Sequence, residues 1–303
     1  MDVGLLTGCL PDVSLPEVAR WAAETGFRAL EVPCVRRGAG WYDGARLVPA
    51  RIDAAAAAEV DELLTSTGLR LSALAYCDNM LDPDDATREA RWSHLADVVR
   101  AAGMLRAPVV VCFVGRDPRH RVGECIAEWA RRAAELVPLA EQHAVRLAIE
   151  NCPLCGPHNS DTEDTPGNLA FSPELWEKLF THVHSDAVGL CFDPSHLYWL
   201  GVDINETVTA YAERIYHVHA KDAEVFRDRR SDCSVLRPSG GWWRYRLPGL
   251  GEIDWRRLID RLQENGYDGA LSIEHEDPVW TGSQDRVKRG LAFSRRFLER
   301  HIV

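Results

Sequence analysis

No run of about 18 consecutive apolar residues occurs in this 303-residue sequence, so no membrane-spanning helix is expected. The opening MDVGLLTGCL lacks the basic flank and long apolar stretch of a secretory leader, and none is expected. Positive charge is scarce as well. Lys and Arg number 35 against 46 Asp and Glu, a net charge of −11, which argues against nucleic acid or an anionic membrane as a partner. No G-x-G-x-x-G or Walker-type loop follows any apolar segment, so the familiar dinucleotide and nucleotide cradles are excluded. With no phosphate-cradling glycine motif, a non-phosphorylated ligand is the expectation. Low-complexity linkers are missing too, and residues 1–303 read as one domain. The nine cysteines are an odd number, and Cys112 and Cys191 lie inside apolar runs. They read as reduced core thiols of a cytoplasmic protein. The pair Cys152-x-x-Cys155 has no second pair beside it, so no zinc or redox role is expected from that motif.

What the chain does have is alternation. Short apolar, β-branched segments at 3–7, 29–32, 70–76, 109–114, 146–150, 188–192, 215–219 and 270–274 are separated by longer stretches of helical periodicity. The clearest stripe runs through Ile126, Trp129, Ala130, Ala133, Leu136, Val137 and Ala140. Ser14 with Glu17 forms a capping box, and Asp82–Pro83 and Ser172–Pro173 place an N-cap before a proline. Gly26, Gly68, Gly103 and Gly266 stand where left-handed C-caps are wanted. Eight strand–helix pairs predict a parallel sheet, and at this length a closed (β/α)8 barrel rather than a doubly wound open sheet. Two segments break the rhythm: 152–168 after the fifth strand and 220–251 after the seventh. Both follow the strand ends where barrels of this kind build active sites.

Four consecutive strands end on a polar residue: Glu150 in LAIEN, Asp193 in GLCFDPSH, His219 in YHVHAKD and Glu274 in LSIEHED. Three carboxylates gathered at one barrel mouth require protonation or a cation. Carboxylate oxygens with one imidazole suit Mn2+, Mg2+, Co2+ or Zn2+. His196 opens toward the same mouth, as does Lys221, which offsets excess negative charge or else pairs at the surface with Asp222. Glu31 ends the second strand and is a candidate substrate contact, and His158 is another in the long fifth loop. Trp242 and Trp243, with Tyr245, are expected either to stack on the rings of a ligand or to form a homo-oligomer contact. His217 should point inward one layer deeper, as a hydrogen-bonded core residue. His275 should pack toward the helices.

The ordered set AIEN, FDPSH, HVHAKD, PGLGEIDW and SIEHEDP resembles the xylose-isomerase-like TIM barrel superfamily of sugar and sugar-phosphate isomerases and epimerases. The resemblance implies one Mn2+ or similar ion held by Glu150, Asp193, His219 and Glu274, with His196 touching a small-molecule sugar. By the same likeness, Glu150 and Glu274 are the pair that removes and returns a proton beside a carbonyl. The ketose 3-epimerases of this superfamily carry an acidic residue where this chain has Gly156 and an arginine where it has Val225. The ENCPLC loop resembles a branch that includes lyases cleaving 3-keto-glycosides by elimination. Endonuclease-IV-like nucleases share the barrel but need further histidines. Residues 109–116 contain none, and Asp232-Cys233-Ser234 ends in serine where one would be required. A metal-dependent sugar isomerase or epimerase is the leading expectation, a keto-glycoside lyase the alternative. A non-catalytic binding protein is disfavoured by retention of all four ligand types.

Overall fold

The computed structural model describes residues 1–34, 46–154, 166–235 and 241–303. Among the described residues ten strands are formed: β1 Asp2–Leu6, β2 Ala29–Pro33, β3 Arg70–Tyr76, β4 Val109–Cys112, β5 Arg146–Glu150, β6 Val188–Phe192, β7 Ile215–Ala220, β8 Asp222–Val225, β9 Trp243–Arg246 and β10 Ala270–Ile273. Eight of them close a parallel barrel in the order β1-β10-β7-β6-β5-β4-β3-β2. Closure is made by β1, which pairs with β10 through Val3↔Leu271 and with β2 through Leu5↔Leu30. Helices between the strands cover the outside, as in a TIM barrel. Among the described residues no helix is long and apolar enough to cross a membrane.

Strand alternation divides the core into two layers and places the site. On β5, Leu147 and Ile149 pack outward under the helices, while Ala148 joins Leu6, Ala73, Ala75, Val109, Val111 and Cys191 inside the barrel. A period of two therefore carries Glu150 inward above Ala148, and Asp193 inward above Cys191. On β7 the same parity stacks His219 above His217. The small alanines of β3 and β5 leave room inside the barrel for those imidazoles.

Helix boundaries follow the sequence signals, with two corrections. The Ser14–Glu17 capping box starts Leu15–Thr25, and Gly26 ends it with φ of 97°. The third helix, however, starts at Asp85, not after Asp82. Asp84 caps it by accepting from Thr87 N, whereas Asp82 accepts from Asp84 N and from Arg91. That helix also runs past Gly103 to Leu105, and Arg106 takes the left-handed cap. Gly103 serves packing instead: a Cβ there would overlap the His143 ring. The fourth strand stops at Cys112 because the Val114 and Gly115 amides donate to Asn168 Oδ1 (3.1 and 2.9 Å) and leave the ladder.

The larger departure lies in 220–251, expected as loop. β8 and β9 form an antiparallel hairpin outside the barrel, with Ala223↔Tyr245 and Val225↔Trp243 paired, and helix Arg227–Cys233 follows β8. Its inner face packs Trp242, Trp243, Val225 and Tyr245 against Trp199. Its outer face pairs Arg244 and Arg246 with Glu224.

Asp222 anchors this hairpin. Its buried carboxylate accepts from the backbone of Ala223, Gly249, Gly251 and Ile253 and from Trp255 Nε1. A Cβ on Gly251 would overlap Asp222 Oδ1, so only glycine lets that amide approach. The PGLGEIDW motif is thus the receptor for one carboxylate. Asp222→Ala strands several buried donors and is expected to cost about 3 kcal/mol or more. Equilibrium denaturation checks this; wild-type stability in the variant would remove Asp222 as the anchor.

Candidate metal centre

The ends of β5, β6, β7 and β10 bring Glu150, Asp193, His219 and Glu274 together. One donor atom from each lies within 4.8 Å of the others, and all four residues are buried. His219 Nδ1 is 3.4 Å from Glu150 Oε1 and 3.1 Å from Glu274 Oε2. Two asparagines fix the strand tips. Asn151 donates to Asp193 O (2.8 Å) and accepts from Asp193 N (2.7 Å), locking β5 to β6. Asn168 donates to Glu150 O and Cys152 O while its oxygen holds the end of β4.

Glu31 lies beneath the cluster and accepts from both inward histidines, at 2.9 Å from His217 Nε2 and 3.0 Å from His219 Nε2. Each carboxylate oxygen is thereby engaged by protein. Burial opposes ionisation of Glu31, and the two imidazoles outweigh it, holding the carboxyl well below its ordinary range. With Nε2 held by Glu31, His219 turns Nδ1 toward the carboxylates of Glu150 and Glu274.

Lys221 settles its two sequence readings. It is buried, and its ammonium contacts Asp193 Oδ2 (3.1 Å), Glu274 Oε2 (2.8 Å) and Glu276 Oε2 (3.0 Å) and lies 4.6 Å from the Tyr245 ring centroid. Asp222 is not its partner. Burial alone would ease its deprotonation, but the three carboxylates raise its pKa well above the ordinary value. For Asp193, burial opposes ionisation, yet Lys221 and His196 prevail and hold its carboxyl near about 2. Glu274 lies further below its usual range for the same reasons, burial opposing and Lys221 with His219 prevailing.

His196 faces the cluster through Nε2, 3.1 Å from Asp193 Oδ2 and 3.5 Å from Glu150 Oε1, and its Nδ1 is 2.8 Å from Tyr245 Oη. Trp242 and Trp243 are buried behind that tyrosine. Trp243 stacks on Trp199 with centroids 4.4 Å apart and planes at 6°. A sugar ring stacked on that face would first have to displace Trp199. His275 Nε2 is 3.0 Å from Trp280 O, turned away from the cluster. His158 falls outside the described residues, as do Cys155 and Gly156. Sequence reasoning passed over Glu276 and the two asparagines. The former is visible only as the last acid of EHE, the latter as the Asn closing AIEN and the last residue of a long loop.

The donor set fits a divalent cation. Asp193 Oδ2, His219 Nδ1 and His196 Nε2 are buried and lack an aligned hydrogen bond; they face Lys221, the neighbouring carboxylates and one another at 3.1–3.5 Å around one space. Polar atoms left so at one point mark a position for a further group.

A closed β/α barrel with acids and imidazole gathered at the carboxyl ends of its strands defines a TIM-barrel protein with its site at the customary face. The chain belongs to the xylose isomerase-like TIM barrel family, whose model matches residues 19–297. It is 24% identical over 299 residues to the uncharacterised protein YfiH of Bacillus subtilis strain 168, covering 91% of this chain and 93% of that one. It is 34% identical over 120 residues to an inosose dehydratase of Clostridium perfringens, a match spanning 37% of this chain and 39% of the relative. Among solved structures, an IolI protein with a bound zinc atom superposes with a TM-score of 0.69 at 18% identity, covering 99% of this chain and 96% of that one.

Proposed function

We propose that this chain is a divalent-metal-dependent enzyme that removes a proton beside the carbonyl of a polyhydroxylated ketone, a keto-sugar. The observation that carries the reading is the set of buried, converging donors on Glu150, Asp193, His219 and Glu274. Those four residues would hold the cation. When bound, it supplies Lewis acidity that makes a C–H beside a ketone easier to ionise. Mn2+ is the first choice, with Mg2+, Co2+ and Zn2+ compatible with the same donors.

The two outer carboxylates are not equivalent. Glu274 is held by Lys221, whereas Glu150 faces Cys77 Sγ at 3.6 Å and has neither lysine nor arginine in ion-pair contact among the described residues. Glu150 is therefore the better base. Protonated His196, with its ring held by Tyr245, stands 3.5 Å from Glu150 and is placed to act as an acid. One base and one acid suit elimination. Glu150 takes the proton, the electron pair of the broken C–H bond becomes the new C=C bond, and the β-substituent leaves with its bonding pair and a proton from His196. The inosose dehydratase match supports this outcome. Epimerisation or isomerisation uses the same first step and returns the proton to carbon. Glu150 and Glu274 both flank His219, which keeps that reading alongside. Val225, where the ketose epimerases carry arginine, packs in the tryptophan cluster.

The test is Mn2+-loaded protein incubated in D2O with free ketoses and with a 3-keto-glycoside. Deuterium entering beside the carbonyl supports the common step. Aglycone release identifies the lyase, and sugar interconversion without release identifies the isomerase. No exchange with any of them overturns the reading. Glu31 is proposed as a positioning residue, and Glu31→Gln is expected to weaken Mn2+ binding about 10–100-fold by loosening His219. Competitive metal titration reads this directly, and unchanged affinity would remove Glu31 from the site.

A further inference from the structure

We propose a second cation site, made by Glu150, Cys152 and His196, that shares Glu150 with the first and prefers thiophilic ions such as Zn2+ or Cd2+ over Mn2+. One donor atom from each of the three lies within 4.8 Å of the others. His196 Nε2 is wholly buried and aimed into this space, 3.5 Å from Glu150 Oε1 and 3.1 Å from Asp193 Oδ2, with no aligned hydrogen bond. Its opposite nitrogen sits 2.8 Å from Tyr245 Oη. With Nδ1–H donated to that oxygen, Nε2 becomes the ligand atom once an ion displaces its proton, the arrangement metal-binding histidines ordinarily have. His219 repeats it in mirror fashion, with Nε2 held by Glu31 and Nδ1 turned to the first site.

The sulfur is aimed by its own loop. The Leu154 amide donates to Cys152 Sγ at 3.4 Å. Asn168 donates to Cys152 O at 2.6 Å and fixes the same segment from the other side. Metal binding at a thiol releases its proton. Thiolate, imidazole and one carboxylate oxygen form a three-donor set with an open fourth position, which suits Zn2+ with bonds of ~2.0–2.3 Å. Hard ions such as Mg2+ and Mn2+ gain little from sulfur.

An ion there would occupy Glu150 and His196 together. On the reading given above, these are the base and the acid, so excess Zn2+ would inhibit the Mn2+ enzyme. Inhibition rests on that reading, whereas occupancy of the site does not.

The experiment titrates the Mn2+-loaded full chain with Cd2+ while following thiolate-to-cadmium absorption in the ultraviolet and bound metal by dialysis. Wild type is expected to gain the absorption with a further equivalent of Cd2+. Cys152→Ser is expected to lack it and to bind that equivalent more than ~100-fold more weakly, since outer partners alone are worth ~10–100-fold. Mn2+ binding should persist in both, and Cys152→Ser should turn over normally while resisting Zn2+. Equal absorption in wild type and Cys152→Ser, or none in wild type, overturns the site. Thiolate absorption lost in Cys152→Ser, with no Mn2+ binding or turnover in either protein, would sustain this site and overturn the proposed function alone.

Discussion

Glu150→Gln is expected to lower kcat by roughly 10²–10⁴-fold, the usual contribution of a positioned base, and to abolish deuterium exchange beside the ketone. The amide keeps the shape of the side chain but cannot take a proton. Folding should survive, because the variant removes a buried charge whose ionisation burial and Glu274 both oppose, although His219 outweighs them and holds the carboxyl below its ordinary range. Glu274→Gln tests the asymmetry. If Glu150 is the base of an elimination, Glu274→Gln weakens metal binding yet retains slow exchange. If proton removal and return are shared between opposite faces, both variants lose exchange together. Wild-type exchange in Glu150→Gln would end its assignment as the base.

Lys221→Met is expected to destabilise the metal-free protein by about 3–5 kcal/mol, the range for removing one member of a buried ionic set. Its ammonium touches three carboxylates at 2.8–3.1 Å and is almost wholly buried. At this chain length that corresponds to a drop in Tm of roughly 5–8 °C. A divalent ion should recover part of the loss, since it supplies the positive charge the variant lacks. Mn2+ should therefore raise the Tm of Lys221→Met more than that of wild type. A variant melting with wild type in the absence of metal would show that the three acids are already protonated.

The barrel and its donor cluster were legible because both rest on strand alternation. Each of the four strands is apolar up to its last residues and then turns a polar side chain to the inner parity, a pattern that can be counted along the chain. Glu31 was placed at the right strand end, but its partners were not foreseeable: His217 and His219 lie 186 and 188 residues away in sequence. The hairpin was missed for a different reason. Its alternation, buried Trp243 and Tyr245 against half-exposed Arg244 and Arg246, spans only four residues inside a glycine-rich segment. The tryptophans consequently read as exposed stacking groups, whereas Trp199, supplied by the helix after β6, covers them. Asp82 and Gly103 misled because local propensity ranks several neighbouring positions alike. Arg91 draws Asp82 away from capping, and His143 demands a residue without a side chain at position 103.

Tyr245 reaches His196, and lies under Lys221, from a ribbon that shares no ladder with the barrel. The parts of the barrel mouth therefore differ in how freely they can diverge. The proposed metal ligands are tied to staves whose register cannot slip without opening the cylinder. The tyrosine belongs to an appendage that descendants of this chain can lengthen, shorten or exchange, altering which molecules are accepted while the cylinder beneath stays intact.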